Sequence, residues 1–292
     1  MDRIVLSAPA KINLFLEITG TDHRGYHLLD TVMQSVSLCD LVLLSRRREG
    51  FFIASNEEGV PTDESNLAFK AAAALCAELD IALPSLSIYL EKRIPSEAGL
   101  GGGSSDAAAV LIGLNRLLGT NLSTEKLCDI GEKVGADVPF CVLGGTALAR
   151  GIGEKLMPLK PLPGCHIVIA KPAEGISTRE AFYDYDRLGN KATPQDGTAL
   201  LKAITASDLT GLGSAVYNTL EQIIPGNTTE TIKAVMGENG AVGAALSGSG
   251  SAVFGLFDSK AAAERCAEAL RETKRFVFMA VPVSGVKILY ED

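Results

Sequence analysis

Between Leu86 and Leu118 an alternating stretch, LSIYLEKR, runs into the glycine-rich PSEAGLGGGSSDAA and then into a helical pattern. Leu86, Ile88 and Leu90 alternate with Ser87, Tyr89 and Glu91, as in a strand. Ala107, Val110, Leu111, Leu114, Leu117 and Leu118 recur at helical spacing. Strand, glycine loop and helix N-terminus in that order constrain the chain strongly. Glycines allow close approach to the backbone, and the first-turn N–H groups of the helix point at negative charge. A phosphate cradle is therefore predicted along Pro95, Ala98, Gly99, Leu100, Gly101, Gly102, Gly103, Ser104 and Ser105. The bland alternative is a tight connection capped by Ser104 or Ser105. Gly101, Gly102 and Gly103 in succession argue against it, because they cost more backbone entropy than a turn needs.

The loop differs from better-known phosphate loops. No Lys-Ser or Lys-Thr follows its glycines, which excludes the P-loop pattern. Ser104 stands where the third glycine of the dinucleotide fingerprint belongs. Eukaryotic-type protein kinase signatures are absent too: there is no Asp-Phe-Gly, and His23-Arg24 is followed by Gly25.

The chain has 292 residues, enough for one large or two ordinary domains. The proline-rich LMPLKPLPG, Leu156 to Gly164, is the best boundary, dividing residues 1–157 from 158–292. Before it, VLSAPAKINLFLEI, LVLLS and FFIAS read as strands, with Pro9 breaking the first. LAFKAAAALCAEL and TEKLCDIGEKVG read as helices, the second capped at Ser123-Thr124, and GGTALAR as a turn into a strand. After the boundary, CHIVIAKP, the two halves of GAALSGSGSAVFGLF and a closing FVFMAVPV read as strands. Helical stretches include Arg179 to Tyr185 and KAAAERCAEALRE. The order is that of an α+β protein.

Composition narrows the function. A net charge of −8 argues against a general nucleic-acid binder. No apolar run approaches the roughly 20 residues of a membrane span, and a strand-like pattern begins at the N-terminus, so a cytoplasmic location is expected. The six cysteines show no metal-ligand spacing and read as reduced core residues.

Candidates for chemistry lie outside the loop. Ile12, Leu14, Leu16 and Ile18 share one strand face, so Lys11 and Asn13 point together from the other. A snorkelling lysine is the bland reading of Lys11. Asp137, within GADVP, is either a turn residue or a carboxylate able to accept a hydroxyl proton during phosphoryl transfer. Gly25-Tyr26-His27 is either a structural turn or a base-recognition site. Ser247-Gly248-Ser249-Gly250 fits a hairpin, and its N–H groups could form a second anion cradle.

Together, PAKINLFL, PSEAGLGGGSSDAA and GAALSGSGSAVFGLF resemble the GHMP kinase family of small-molecule kinases. GYH at Gly25 to His27, Asn66 of DESNL and GADVPF at Gly135 to Phe140 are most similar to the branch acting on a cytidyl nucleotide that carries methylerythritol. The resemblance implies an N-terminal ribosomal-protein-like α+β domain and a C-terminal ferredoxin-like α+β domain, with the site in the cleft between them. It implies transfer of the ATP γ-phosphate to the 2-hydroxyl of methylerythritol, in non-mevalonate isoprenoid precursor synthesis, with Mg²⁺ accompanying ATP. Asp137 would be the base and Lys11 its charged partner. Asn13 would position the acceptor, and Thr178 would contact it. Tyr26 and Phe182 would sandwich cytosine while His27 bonds its edge. Pro95 to Ser105 would wrap the ATP phosphates, with Asn66 and Lys92 near adenine. The partners implied are ATP and the cytidyl substrate, acting on a monomer or homodimer without nucleic acid or membrane. Arg24 departs from the family's frequent Asp before Gly-Tyr-His. A homoserine- or mevalonate-type kinase, or an RNA-binding module, remains as an alternative.

Overall fold

The computed structural model describes residues 2–173, 175, 177–188, 193–222, 227–272 and 276–292. One strand organises it. β1 (Arg3–Thr21) pairs antiparallel with β2 (His27–Arg46) along nearly its whole length. Its even-numbered side chains enter three separate cores in turn. Ile4, Leu6 and Ala8 join the first, Ala10, Ile12 and Leu14 the second, and Leu16 and Ile18 the third. The period-two pattern seen in the sequence therefore continues across all three.

Pro9 does not break this strand. The β1–β2 register instead slips between Pro9 and Lys11, the type of irregularity at which a residue without an N–H is tolerated. The freed backbone groups turn to the glycine-loop segment: Ser105 Oγ donates to Pro9 O at 2.7 Å, and Lys11 N donates to Leu100 O at 2.9 Å.

The first sheet runs β12-β1-β2-β4-β3, with β12 spanning Lys287–Glu291 and with β3 (Phe51–Ser55) and β4 (Leu86–Glu91) as expected. β5 (Thr146–Gly151) pairs with β2 and with β6 (Lys155–Pro158). Four helices contribute to the first core: α1 (Leu67–Glu78), α2 (Gly102–Leu118), α3 (Thr124–Glu132) and the unforeseen α4 (Val138–Leu143). Ser123 caps α3 through Lys126 N, as its position suggests.

The second sheet is wholly antiparallel, in the order β11-β7-β10-β9. Its strands are β7 (His166–Lys171), β9 (Gly243–Leu246), β10 (Val253–Phe257) and β11 (Phe276–Ala280). α5 (Thr178–Leu188), α6 (Thr198–Ala206), α7 (Leu209–Ser214), α8 (Asn227–Glu238) and α9 (Lys260–Arg271) complete this half. Two short strands return to the first sheet: β8 (Tyr217–Asn218) and β12 (Lys287–Glu291) both pair with β1. FVFMAVPV is therefore not the closing strand; β12 is. Among the described residues no helix is long and apolar enough to cross a membrane.

Candidate active site

The glycine loop enters α2 through Gly101, whose φ of 70° places it in the left-handed region. Gly101 is the N-cap residue and no side chain caps the helix, so neither Ser104 nor Ser105 is the cap that the tight-connection alternative supposes. Ser104 and Ser105 lie within the first turn, where Ser105 N donates to Gly101 O at 2.9 Å. The Ser105 hydroxyl is spent on Pro9 O, inside the protein. The N–H groups ahead of Ser105, on Gly102, Gly103 and Ser104, have no intrahelical acceptor. Gly102, Gly103 and Ser104 line a cavity of about 960 Å³, together with Pro95, Ala98, Gly99, Leu100 and Gly101. That size suits extended ligands.

A second glycine turn braces the first. The hairpin between β9 and β10 contributes Gly248 and Ser249 to the same cavity. Ser247 Oγ donates to Gly99 O at 2.9 Å, and Ala252 N donates to Ala98 O at 3.1 Å. At Gly99, φ is 70° and an added Cβ would fall 2.0 Å from Ser247 O. The contact requires glycine.

Lys11 and Asn13 stand between two slips in the β1–β2 register, one at Pro9/Lys11 and one at Asn13/Phe15. Bulges of this kind re-aim side chains. Lys11 Nζ donates to Asn13 Oδ1 at 2.8 Å and lies 3.4 Å from Asp137 Oδ2. Asp137 occupies the N-cap position of α4 but makes no side-chain cap bond, which leaves its carboxylate facing the cavity and Lys11. Lys11 and Asn13 are buried, whereas the Asp137 side chain is 36% exposed. A buried ammonium thus meets a carboxylate that a ligand can reach, beside the helix N-terminus.

His27, the first residue of β2, and Phe182 of α5 also line the cavity, with Tyr185 and Asp186 of α5 packed against the His27 ring. The His27 ring stacks on Phe182 with centroids 4.7 Å apart, meets Tyr185 edge-on at 5.7 Å, and places Nε2 2.7 Å from Asp186 Oδ1. Tyr26 is 57% exposed on the rim, under the Arg24 guanidinium at 5.1 Å. Among the described residues Tyr26 makes no ring contact with Phe182; the partner of Phe182 is His27. Arg24 takes over the turn without harm, because Asp22 accepts from both Arg24 N and Tyr26 N, at 2.8 and 2.9 Å. Thr178 lines the cavity with its hydroxyl 3.0 Å from Ser249 Oγ.

Two predicted residues fall outside the cavity lining. Asn66 is the N-cap of α1: Oδ1 accepts from Ala68 N at 2.8 Å, and Nδ2 donates to Pro61 O at 2.5 Å. Ser105 is fully buried. Lys92 does line the cavity, but its ammonium bonds Asp40 and Asp106. Burial pushes the Asp106 carboxyl up to about 7, against the opposing pull of Lys92, and the Asp40 carboxylate adds to the rise. Burial also works against the Lys92 charge, but the two aspartates outweigh it and leave its pKa raised. The triad ties β2, the segment after β4 and α2 together under the glycine loop. Asp40 lies in no motif, and Asp106, directly after the serines of PSEAGLGGGSSDAA, gives no local sign that its carboxylate turns inward to Lys92.

The match to known proteins is extensive. Residues 66–145 match the N-terminal domain of GHMP kinases, and residues 200–275 match their C-terminal domain. A 4-diphosphocytidyl-2-C-methyl-D-erythritol kinase of Exiguobacterium sibiricum is 45% identical over 271 residues, covering 92% of this chain and 94% of that protein. The chain belongs to the GHMP kinase family.

A second relative of this GHMP kinase, from Clostridium botulinum and of the same name, is 40% identical over 94% of the chain and 98% of its own length. A crystal structure of a 4-(cytidine 5'-diphospho)-2C-methyl-D-erythritol kinase superposes with a TM-score of 0.80 at 33% identity, covering 97% of this chain and all of that one. A homoserine kinase from Cytophaga hutchinsonii superposes at 0.77 with 21% identity, covering 99% of this chain and 98% of that one, a likeness of fold alone. The architecture is the two-domain α+β fold of GHMP kinases.

Proposed function

We propose that this GHMP kinase transfers the γ-phosphoryl group of ATP to the 2-hydroxyl of 4-diphosphocytidyl-2-C-methyl-D-erythritol, a cytoplasmic step towards isoprenoid precursors by the non-mevalonate route. The observation that carries the reading is the meeting of Lys11 and Asp137 at 3.4 Å, in one cavity with the glycine loop and with His27 and Phe182. The glycine loop and the N-terminus of α2 hold the ATP phosphates through backbone N–H groups. Asp137 accepts the hydroxyl proton, the freed oxygen attacks the γ-phosphorus, and ADP departs. Lys11 stabilises both the carboxylate and the charge on the transferring group. The cytidyl end lies towards His27, Phe182 and Tyr26, with Thr178 beside it. The relatives' names supply the acceptor.

The donor set is compatible with Mg²⁺. The described residues hold no cluster of three or more metal-ligating His, Cys, Asp or Glu side chains, but Ser104 and Asp137 offer oxygens at the cavity wall. Mg²⁺ commonly takes one or two protein oxygens and completes its shell with phosphates and water. Bound there, it would neutralise charge on the phosphates.

The test is phosphorus NMR of product formed from ATP with three alcohols: the cytidyl substrate, mevalonate and homoserine. Formation of the 2-phosphate from the cytidyl substrate, with at most slow transfer to the others, is expected. Efficient transfer to mevalonate or homoserine alone would overturn the proposal.

A further inference from the structure

Behind Lys11 runs a directional chain of hydrogen bonds anchored in the backbone of β1. The carbonyl oxygen of Phe15 can only accept, so the Thr31 hydroxyl donates to it, at 2.6 Å. With its single proton committed, Thr31 Oγ1 acts as acceptor for Asn13 Nδ2 at 2.9 Å. This orients the Asn13 amide: its nitrogen faces Thr31, and its oxygen receives the Lys11 ammonium at 2.8 Å. Lys11 then stands 3.4 Å from Asp137. A flipped amide would turn its NH₂ group towards the ammonium, donor against donor, among residues at most 5% exposed.

The register explains why Thr31 can reach both groups. Asn13 pairs with Met33, but after the slip Phe15 pairs with Val32 and Leu16 with Thr31. The slip brings the Asn13 amide and the Phe15 carbonyl around one β2 side chain.

We propose that Thr31 is a positioning residue for phosphoryl transfer, whose hydroxyl orients Asn13 and through it holds the Lys11 ammonium beside Asp137. Thr31 lines the cavity, but its hydroxyl is committed to Phe15 O and Asn13 Nδ2 and acts through them. The kinetic readout of this inference rests on the phosphoryl-transfer reading above.

The experiment compares Thr31→Val, which keeps shape but removes donor and acceptor, with Thr31→Ser, which keeps both. Thr31→Val should lower kcat about tenfold or more with the KM for ATP unchanged, and Thr31→Ser should stay within about twofold of wild type. In an Asn13→Ala background Thr31→Val should have no further effect, because its route to Lys11 is already cut. Activity of Thr31→Val within about twofold of wild type, or a Thr31→Ser defect as large as that of Thr31→Val, would overturn the proposal. So would a full Thr31→Val defect in the Asn13→Ala background. Should Thr31→Val not fold, Thr31→Cys takes its place in the same comparison. A wild-type enzyme inactive on the cytidyl acceptor would refute the proposed function instead. Positioning is then read from the nitrogen-15 resonances of the Asn13 side-chain amide, identified by their loss in Asn13→Ala. These should shift in Thr31→Val and hold in Thr31→Ser, and no shift in Thr31→Val would sink the inference.

Discussion

Gly99→Ala tests whether the two glycine turns form one cradle. At φ 70° an alanine pays a left-handed penalty of about 1–2 kcal/mol. Its methyl would also sit 2.0 Å from Ser247 O, 2.9 Å from Ser247 C and 3.0 Å from Gly250 N. Carbon and oxygen cannot approach so closely, so the turns must part by on the order of 1 Å. Parting strains the stitches between them: Ser247 Oγ to Gly99 O at 2.9 Å, Ala252 N to Ala98 O at 3.1 Å and Ser251 N to Glu97 O at 3.4 Å. At about 1 kcal/mol for each hydrogen bond, strain and lost bonds together reach roughly 4 kcal/mol. A displacement of about 1 Å at a phosphate cradle costs on the order of 10² in rate. The assay is ADP release at saturating acceptor while ATP is varied. We expect kcat/KM for ATP to fall by about 10² or more, whereas Gly237→Ala on α8, with nothing within 4 Å of the new methyl, should match wild type. If Gly99→Ala keeps kcat/KM for ATP within about threefold of wild type, the turns do not need each other and the cradle is wrongly drawn.

The remaining expectations concern single side chains. Asp137→Asn should lower kcat by about 10²–10⁴ while leaving ATP affinity intact, as for a lost base; near-normal turnover in stopped-flow ADP release would remove Asp137 from that role. His27→Ala breaks the stack on Phe182 and the bond to Asp186, so the KM for the cytidyl acceptor should rise about tenfold or more with the KM for ATP unchanged. Equal changes in both constants would contradict the assignment of His27 to cytosine. Asp106, ordinarily near 3.8, is pushed up to about 7 by burial. The folded chain then holds a proton that the unfolded chain has lost, and stability falls as pH rises through that window. Asp106→Asn, which mimics the protonated carboxyl beside Lys92 and Asp40, should therefore raise the Tm more at pH 8 than at pH 5. An equal shift at both values, read by calorimetry, would show that Asp106 does not titrate there.

How much of this could be read from the sequence depended on whether the relevant contact was local. The strand of Leu86–Glu91, the helix from Gly102 and the cap at Ser123 follow from residues within a few positions of one another. β2 did not stand out beyond LVLLS, because much of its first half is partly exposed or polar, including Asp30, Thr31, Gln34 and Ser35. α4 is six residues long with Pro139 in its first turn, too short to show a period. β12 is exposed throughout and carries no buried alternation to reveal it. At the site, the pairing of Lys11 with Asn13 was legible because two residues apart on a strand means one face. That Asn66 and Ser105 turn their side chains to capping and to Pro9 O was not legible, since the same residue types serve ligands and backbone equally well.

The location of the site follows from the passage of β1 through three cores. Ala8 ends the contribution of β1 to the first core, and Ala10 begins its contribution to the second. Between them Pro9 has no N–H for the ladder, and the register slips before Lys11. At this change of cores two β1 backbone groups leave the β2 ladder, and they are taken up by Leu100 O and Ser105 Oγ of the glycine-loop segment. The irregularity that moves β1 from one core to the next is thus also what fastens the phosphate cradle beside Lys11. A second slip, after Asn13, gives Thr31 its hold on the Asn13 amide. Restoring regular pairing on either side of Lys11 would make a more uniform sheet, and it would separate the ammonium from the loop it serves.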